Sequence, residues 1–407
     1  MNNKNLFLKN NIQSENLKSS SIRYLSKKFE KIFSEIKHDI KDAKKTLHIL
    51  DDELKFNFKT RDLKKFKNFK TIVLIGMGGS ILGSEAIYNF FKKKIKNKFY
   101  FFNDLNENKI IEFKKKENIS KTLFIIISKS GNTIETLSNV FSLNIMKKNS
   151  KNIILISEKK NNLLFNMSKK LNLFYVEHKT NIGGRYSVLS EVGIIPAYLM
   201  GINIIKIRSR ILDCLKNSNK LFLKDSTIKL ASLMQSKKFN NLVFLNYFPE
   251  LEKFLYWCQQ LIAESLGKKG KGFLPTISKA PKDHHSLLQL YLDGPKDKFF
   301  YIFNKKTKFE KKEKMKIKKI VNKADFLHNK SLSQIKDAQK NAFIKVLKQK
   351  NIPFREFTIK VSDEETIGEF FSYFMLETAI VGKLANINPF NQPAVEQVKI
   401  YTKKLLS

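Results

Sequence analysis

Thr122-Leu-Phe-Ile-Ile-Ile-Ser-Lys-Ser-Gly-Asn-Thr-Ile-Glu-Thr136 joins an unbroken apolar run to the opening of a helix, with hydroxyls and one glycine at the join. A strand with one wet face would alternate apolar and polar residues, so the continuous run 122–127 predicts a strand buried on both faces. Asn132 with Glu135 fits a capping box, and ordinary helix initiation accounts for that part of the pattern. Capping alone does not call for Ser128, Ser130 and Thr133 together. Three hydroxyls, with backbone N–H groups and the helix dipole, make a compact cradle for a phosphate monoester dianion.

Outward from this junction the same grammar repeats. Short β-branched runs at 71–75, 99–102, 152–156 and 173–176 alternate with amphipathic segments, which predicts a parallel sheet covered on both faces, a doubly wound α/β unit. A helical stretch over 187–237 leads to a second, more interrupted unit with strands at 242–246, 299–304 and 355–360. Ahead of both, Ile22, Leu25, Phe29, Ile32, Phe33 and Ile36 recur at helical spacing. Behind them, 364–384 and 394–406 read as helices packing back on the body, broken at Asn388-Pro389. The expected division is an N-terminal helical extension (1–66), two α/β domains (67–190 and 191–362) and a C-terminal helical arm (363–407).

The bulk properties agree. A chain of 407 residues is too long for one ordinary core, and 42% hydrophobic residues with 35 Phe exclude a mostly disordered chain. The net charge of +40 invites a nucleic-acid reading. The lysines, however, are spread along the chain, as at Lys92-Lys93-Lys94, Lys114-Lys115-Lys116 and Lys311-Lys312, in the company of abundant Asn and Ile. A solvated basic surface is expected, with no nucleic-acid partner, and such a surface raises the encounter rate of an anionic substrate. Cys214 and Cys258 lie far apart in apolar or helical settings and read as core thiols of a reducing compartment. Residues 1–21 are polar and no 18-residue apolar run occurs, so a soluble, cytoplasmic protein without a membrane partner is expected.

Five further segments carry chemistry. Ile75-Gly-Met-Gly-Gly-Ser-Ile-Leu-Gly83 ends a strand with glycines that admit an anion to backbone amides. A dinucleotide fingerprint would need glycine where Ile81 stands. Asn181-Ile-Gly-Gly-Arg-Tyr-Ser-Val-Leu-Ser190 lets Arg185 present a fixed cation to a developing oxyanion; the plain alternative is a surface Arg in a turn. Gln260-Leu-Ile-Ala-Glu-Ser-Leu-Gly-Lys-Lys-Gly-Lys-Gly272 places Glu264 near a helix end with Gln260 on the same face, and a carboxylate suits removal of a proton α to a carbonyl. Asp283-His-His-Ser-Leu-Leu-Gln-Leu-Tyr-Leu-Asp-Gly294 supplies two of six histidines, which titrate near neutrality and can move protons to open a sugar ring. Asn388-Pro-Phe-Asn-Gln-Pro-Ala-Val-Glu-Gln-Val-Lys399 closes the set.

These segments carry a family resemblance. Ser128-Lys-Ser-Gly-Asn-Thr-Ile-Glu-Thr136 resembles the phosphate loop of the sugar isomerase (SIS) domain. Gly183-Gly-Arg-Tyr-Ser187 is similar to the Gly-Gly-Arg-[Phe/Tyr]-Ser signature of the glucose-6-phosphate isomerase family. Glu264-Ser-Leu-Gly-Lys268 resembles its carboxylate motif, and Asp283-His-His-Ser286 its Asp-x-His-Ser motif. Gln392, ahead of Val395-Glu-Gln-Val-Lys399, matches its closing motif. Six segments in family order run from Gly76 to Lys399; the chain departs from long-form members in its short connections, and its first 60 residues contribute nothing.

The resemblance implies two doubly wound SIS-like domains and a homodimer whose active site borrows a histidine from the partner subunit. It implies reversible isomerisation of glucose 6-phosphate and fructose 6-phosphate through a cis-enediolate, in glycolysis and gluconeogenesis, with no metal and no cofactor. By that likeness Glu264 is the base, Arg185 holds the enediolate charge, and His285 with Lys399 opens the ring, His284 falling at a variable position. Ser128, Lys129, Ser130 and Thr133 take the phosphate, Gly79 and Ser80 line the other side, and Gln392 reaches the ligand. The alternatives are a dual glucose/mannose-phosphate isomerase and a non-catalytic SIS regulator of phosphosugar-binding type. A glutamine-dependent synthase would need an N-terminal cysteine nucleophile.

Overall fold

The computed structural model describes residues 1–306, 314–316 and 322–406; Lys311 and Lys312 lie outside them. Among these residues ten strands form two five-stranded sheets. The first has the order β3-β2-β4-β5-β6, from β2 (Thr71–Ile75), β3 (Lys98–Phe102), β4 (Thr122–Ile127), β5 (Ile153–Ser157) and β6 (Phe174–Glu177). Every pairing in it is parallel. All six residues of β4 are buried, as its unbroken apolar run requires.

The second sheet has the order β1-β10-β9-β7-β8, from β1 (Leu6–Asn11), β7 (Asn241–Asn246), β8 (Leu274–Lys279), β9 (Lys298–Lys305) and β10 (Phe354–Ile359). Two of these strands go beyond the sequence expectation. β1 runs antiparallel along β10, with Leu6 opposite Ile359, so residues 1–66 are not purely a helical extension. Leu6 and Leu8 bury on one face while Lys9 stays exposed. The pairing partner lies some 350 residues away in sequence, and what β1 supplies is cover for an otherwise open sheet edge. β8 contains Pro275, which reads as a strand breaker; the strand is an edge, where a missing N–H is tolerated.

The helical stretch expected over 187–237 is divided into Glu191–Leu199, Ile204–Arg208 and Asn217–Ser236. The C-terminal arm also divides. The helix Glu364–Leu384 is buried on all sides from Thr366 to Gly382 and packs against the helices Ser19–Lys41, Ile204–Arg208, Asn217–Ser236 and Glu252–Leu266. A helix apolar all round belongs in a core. Its Glu377 receives a hydrogen bond from Arg355 Nη1 of β10 at 2.6 Å, inside a cluster completed by Tyr301 and Tyr373. Only Glu396–Leu406 projects, with no buried residue.

One continuous apolar core joins the facing sides of both sheets and the helices between them, while two smaller clusters cover the outer faces. The helix Leu82–Phe91, which follows β2, lies against Glu252–Leu266, which precedes β8. That contact brings the turn after β2 to the helix that carries Glu264. Among the described residues no helix is long and apolar enough to cross a membrane.

Candidate active site

The neighbours of β2 are β3 on one side and β4 on the other, so the chain leaves the carboxyl ends of β2 and β4 in opposite directions and opens a crevice between them. Ligands of open α/β sheets bind at such a switch point. Both glycine- and hydroxyl-bearing turns end there. After β4, Thr133 Oγ1 lies 2.8 Å from Ser128 Oγ and 3.5 Å from Ser130 Oγ, and Gly131 takes a left-handed φ of 67° between them. The capping box expected from Asn132 and Glu135 is absent. The helix Ile134–Leu143 takes Thr133 as its N-cap with no side-chain hydrogen bond, and Asn132 Oδ1 instead accepts from Leu163 N at 2.9 Å. The three hydroxyls are therefore not spent on initiating the helix. Lys129 Nζ donates to Thr180 O at 2.9 Å and stands 3.7 Å from Glu158 Oε1. Burial pulls its ammonium below the usual lysine range, with Glu158 acting in the other direction.

After β2, the turn containing Gly79 lies directly on the Gly-Gly-Arg turn. A Cβ on Gly79 would sit 2.1 Å from the carbonyl carbon of Gly184, and Ser187 Oγ donates to Gly184 O at 2.7 Å. Close backbone packing thus accounts for Gly79, and the neighbouring Ser80 is buried. The contact fixes Arg185 beside the crevice. A Cβ on Gly78 would meet Gln260 Nε2 at 2.6 Å, so the same turn also touches the helix Glu252–Leu266.

Arg185 is 3% exposed and far from a surface arginine. All five of its N–H donors are engaged. Nε donates to Ser265 Oγ (2.8 Å), Nη1 to Gln392 Oε1 (2.7 Å) and Glu264 Oε2 (3.2 Å), and Nη2 to the carbonyls of Pro389 (2.7 Å) and Asn391 (3.1 Å). The planar fork suits this convergence of acceptors in a way no lysine could. Trp257 Nε1 donates to the Arg185 carbonyl at 3.1 Å, pinning the backbone as well. Gln260 Nε2 donates to Glu264 Oε1 at 3.0 Å, across one helical turn as their spacing requires. Glu264 keeps 30% of its side-chain surface accessible, which leaves it reachable by a ligand.

Arg185, Glu264 and Gln392, separated by up to 207 residues, are brought together in one chain. His285 and Lys399 are not. His285 is exposed at the end of a 3-10 turn, Lys282–His285, that follows β8. Lys399 sits on the projecting helix, paired with Glu396 at 2.7 Å. The adjacent His284 has a different environment. Its Nε2 lies 2.8 Å from Tyr247 OH, its ring packs on Tyr247 and Phe343, and burial lowers its pKa. Of the two imidazoles, His284 is tied into the fold and His285 faces solvent.

Several supporting residues have contacts that the sequence does not announce. Ser265, within the carboxylate motif, anchors Arg185 Nε and also lies 3.1 Å from Tyr186 OH. Residues 45–57 form a strap under the Gly-Gly-Arg turn. Thr46 Oγ1 donates to Asn181 O, Asn181 Nδ2 to Lys45 O, and Lys179 Nζ to Lys55 O. Asn57 N donates to the buried Glu191, and Arg208 Nη1 joins the carbonyls of Ile49 and Leu189. In the strap, the motif marks Asn181 at one end of its contacts and not the partners Lys45 and Thr46 across them.

Two mostly parallel sheets with glycine- and hydroxyl-bearing turns at the switch point of the first define a two-sheet α/β protein of the sugar isomerase type. The same fold occurs in a hypothetical protein of Thermus thermophilus, at TM-score 0.82 and 23% identity over 99% of this chain and 100% of that one. A glucose-6-phosphate isomerase from Chlamydia trachomatis superposes at TM-score 0.66 and 19% identity, over 84% of this chain and 71% of that one. In sequence, a glucose-6-phosphate isomerase of Methanocaldococcus jannaschii is 33% identical over 346 residues, 83% of this chain and 84% of its own. The family model for phosphoglucose isomerase matches residues 27–407, and the chain belongs to that family.

Proposed function

We infer that the protein is an enzyme that interconverts glucose 6-phosphate and fructose 6-phosphate through a cis-enediolate, with Glu264 as the base. The observation that carries this reading is the convergence of Glu264, Arg185 and Gln260 beside the crevice formed by the phosphate cradle. A non-catalytic phosphosugar regulator would have use for the cradle but none for a positioned carboxylate.

With the phosphate held by Ser128, Ser130 and Thr133, the open-chain aldose presents C2 to Glu264. The carboxylate takes the C2 proton, C1 and C2 become doubly bonded, and the negative charge passes to the substrate oxygens. The proton returns at C1 while the hydroxyl proton passes from O2 to O1. One negative charge thus moves from the carboxylate to the enediolate and back. Arg185 faces that charge in both places, its Nη1 hydrogen bond to Glu264 weakening as the carboxyl group becomes neutral. A cation held by five acceptors does not reorganise during the step, which is where electrostatic catalysis gains most.

Ser130→Ala and Thr133→Ala should act on binding. The expected result is a rise in KM for fructose 6-phosphate of ~10- to 100-fold each, the effect of losing one hydrogen bond to a charged group, with a smaller change in kcat. Steady-state kinetics check this, and a change confined to kcat would contradict the role.

The exposed His285 and Lys399 fit a homodimer in which the partner subunit's His285 completes the site and performs ring opening with Lys399. Val398, Ile400, Tyr401, Leu405 and Leu406 of the projecting helix, all more than half exposed, supply apolar surface for such contacts. Glu264→Gln and His285→Asn should each be severely impaired alone. Mixed under conditions that exchange subunits, they should regain activity, because each heterodimer then carries one intact site and one doubly defective site. Mixing without recovery would show that each site draws both residues from one chain. We propose that the enzyme serves glycolysis and gluconeogenesis in the cytoplasm, which fits a phosphosugar substrate and the lack, among the described residues, of a helix able to cross a membrane.

A further inference from the structure

The segment 387–392, between the helices Glu364–Leu384 and Glu396–Leu406, has no helix or strand of its own, yet it brings three acceptors to Arg185. Irregular backbone keeps one position only if its polar groups are held. Here Lys and Arg side chains hold three of the segment's carbonyls and three more at the helix end before it. Lys28 Nζ takes the carbonyls of Lys383 and Leu384 at 3.1 Å each, and Lys271 Nζ takes that of Ala385 at 3.0 Å. Arg185 takes those of Pro389 and Asn391. The carbonyl between these groups, Asn388 O, receives Lys268 Nζ at 2.6 Å.

Lys268 stands out in this set. It lies two residues after the helix that carries Glu264, so its ammonium links the base's own helix to the segment that carries Gln392. The charged groups facing it are Arg185 and Glu264, with Lys269 and Lys271 on its own turn. Holding a second cation close to Arg185 is electrostatically unfavourable, and a purely structural anchor would gain nothing from that position.

We propose that Lys268 is a positioning residue for the isomerase reaction: by clamping Asn388 it fixes segment 387–392, and with it Gln392 and the two carbonyls that orient Arg185 against Glu264. This rests on the proposed function only for its catalytic consequence. Burial, then Arg185, lowers the Lys268 pKa to about 8, with Glu264 opposing. The charge-assisted clamp is therefore present below pH 8 and weakens as pH rises through it.

The test uses the full-length protein and the variants Lys268→Met, Lys268→Gln and Lys268→Arg. In Lys268→Met and Lys268→Gln, amide exchange in peptides spanning 385–395 should quicken while that of the buried helix 364–384 stays at the wild-type rate. kcat for fructose 6-phosphate should fall by about 10- to 100-fold, the usual effect of a small misplacement, with KM changed less. Lys268→Arg should restore both and, because Arg does not titrate, should lack the alkaline limb near pH 8 expected in kcat/KM of the wild type. Wild-type exchange over 385–395 in both neutral variants would overturn the clamp, whatever their activity. Quickened exchange with unchanged kcat would overturn the catalytic consequence. A wild-type protein inert toward fructose 6-phosphate would instead sink the functional reading, leaving exchange to decide the clamp.

Discussion

Replacing Glu264 by Gln should lower kcat in both directions by ~10²- to 10⁴-fold, the range over which a positioned base contributes, and leave phosphosugar affinity nearly intact. Gln preserves shape and can still meet Arg185 Nη1 through its carbonyl oxygen, so the packing seen around Oε2 at 3.2 Å survives. It cannot accept a carbon-bound proton. Affinity should hold because the hydroxyls proposed to bind the phosphate stand on a different turn, after β4. The measurement is single-turnover kinetics together with titration by a non-isomerisable sugar phosphate. A parallel loss of affinity would mean that Glu264 is a binding residue.

Arg185→Lys carries the second large expectation. The substitution keeps the charge yet leaves an ammonium with three donors where a planar fork now meets five acceptors. Two or more acceptors must lose their partner, and in a residue 3% exposed each orphan costs about 1–3 kcal/mol. We expect about 2–4 kcal/mol less stability, since relaxation and water recover part of the loss. It should appear as a lower urea midpoint with an unchanged slope. The rate should fall by ~10²- to 10³-fold, as when one preorganised donor is removed from a developing anion. Stability lost with turnover kept would make Arg185 a structural anchor only.

How much of this is legible in the sequence depends on whether a local pattern exists. All five strands of the first sheet announce themselves as apolar runs; in β2, β4 and β5 burial on both faces demands it, while the edge strands β3 and β6 are only partly buried. β1 and β8 do not: one is a short edge whose partner lies at the other end of the chain, and the other carries Pro275. The helix Glu364–Leu384 is visible as a helix but not as a core element, since its central place follows from what surrounds it. Asn132 and Glu135 match a capping box that tertiary contact with Leu163 replaces.

In the site, motifs locate Arg185, Glu264 and Gln392, which the fold then joins in one hydrogen-bonded cluster. Gly79, expected to line the ligand, has an immediate structural cause of its own, its missing Cβ making room for Gly184. Lys268 stands in the carboxylate motif, yet nothing in the motif distinguishes a clamp from one more solvated charge among 77 basic residues. The strap at 45–57 has no motif at all; its purpose exists only in contact with the turn it supports.

Transfer of the C2 hydrogen is the point on which the account turns. Glucose 6-phosphate deuterated at C2, incubated with wild-type protein and with Glu264→Gln and followed by NMR, reads it directly. The account predicts that the wild type moves the label to C1 of fructose 6-phosphate or loses it to solvent, and that Glu264→Gln, saturated with the same substrate, leaves it at C2. Loss of C2 deuterium from Glu264→Gln at the wild-type rate would contradict it.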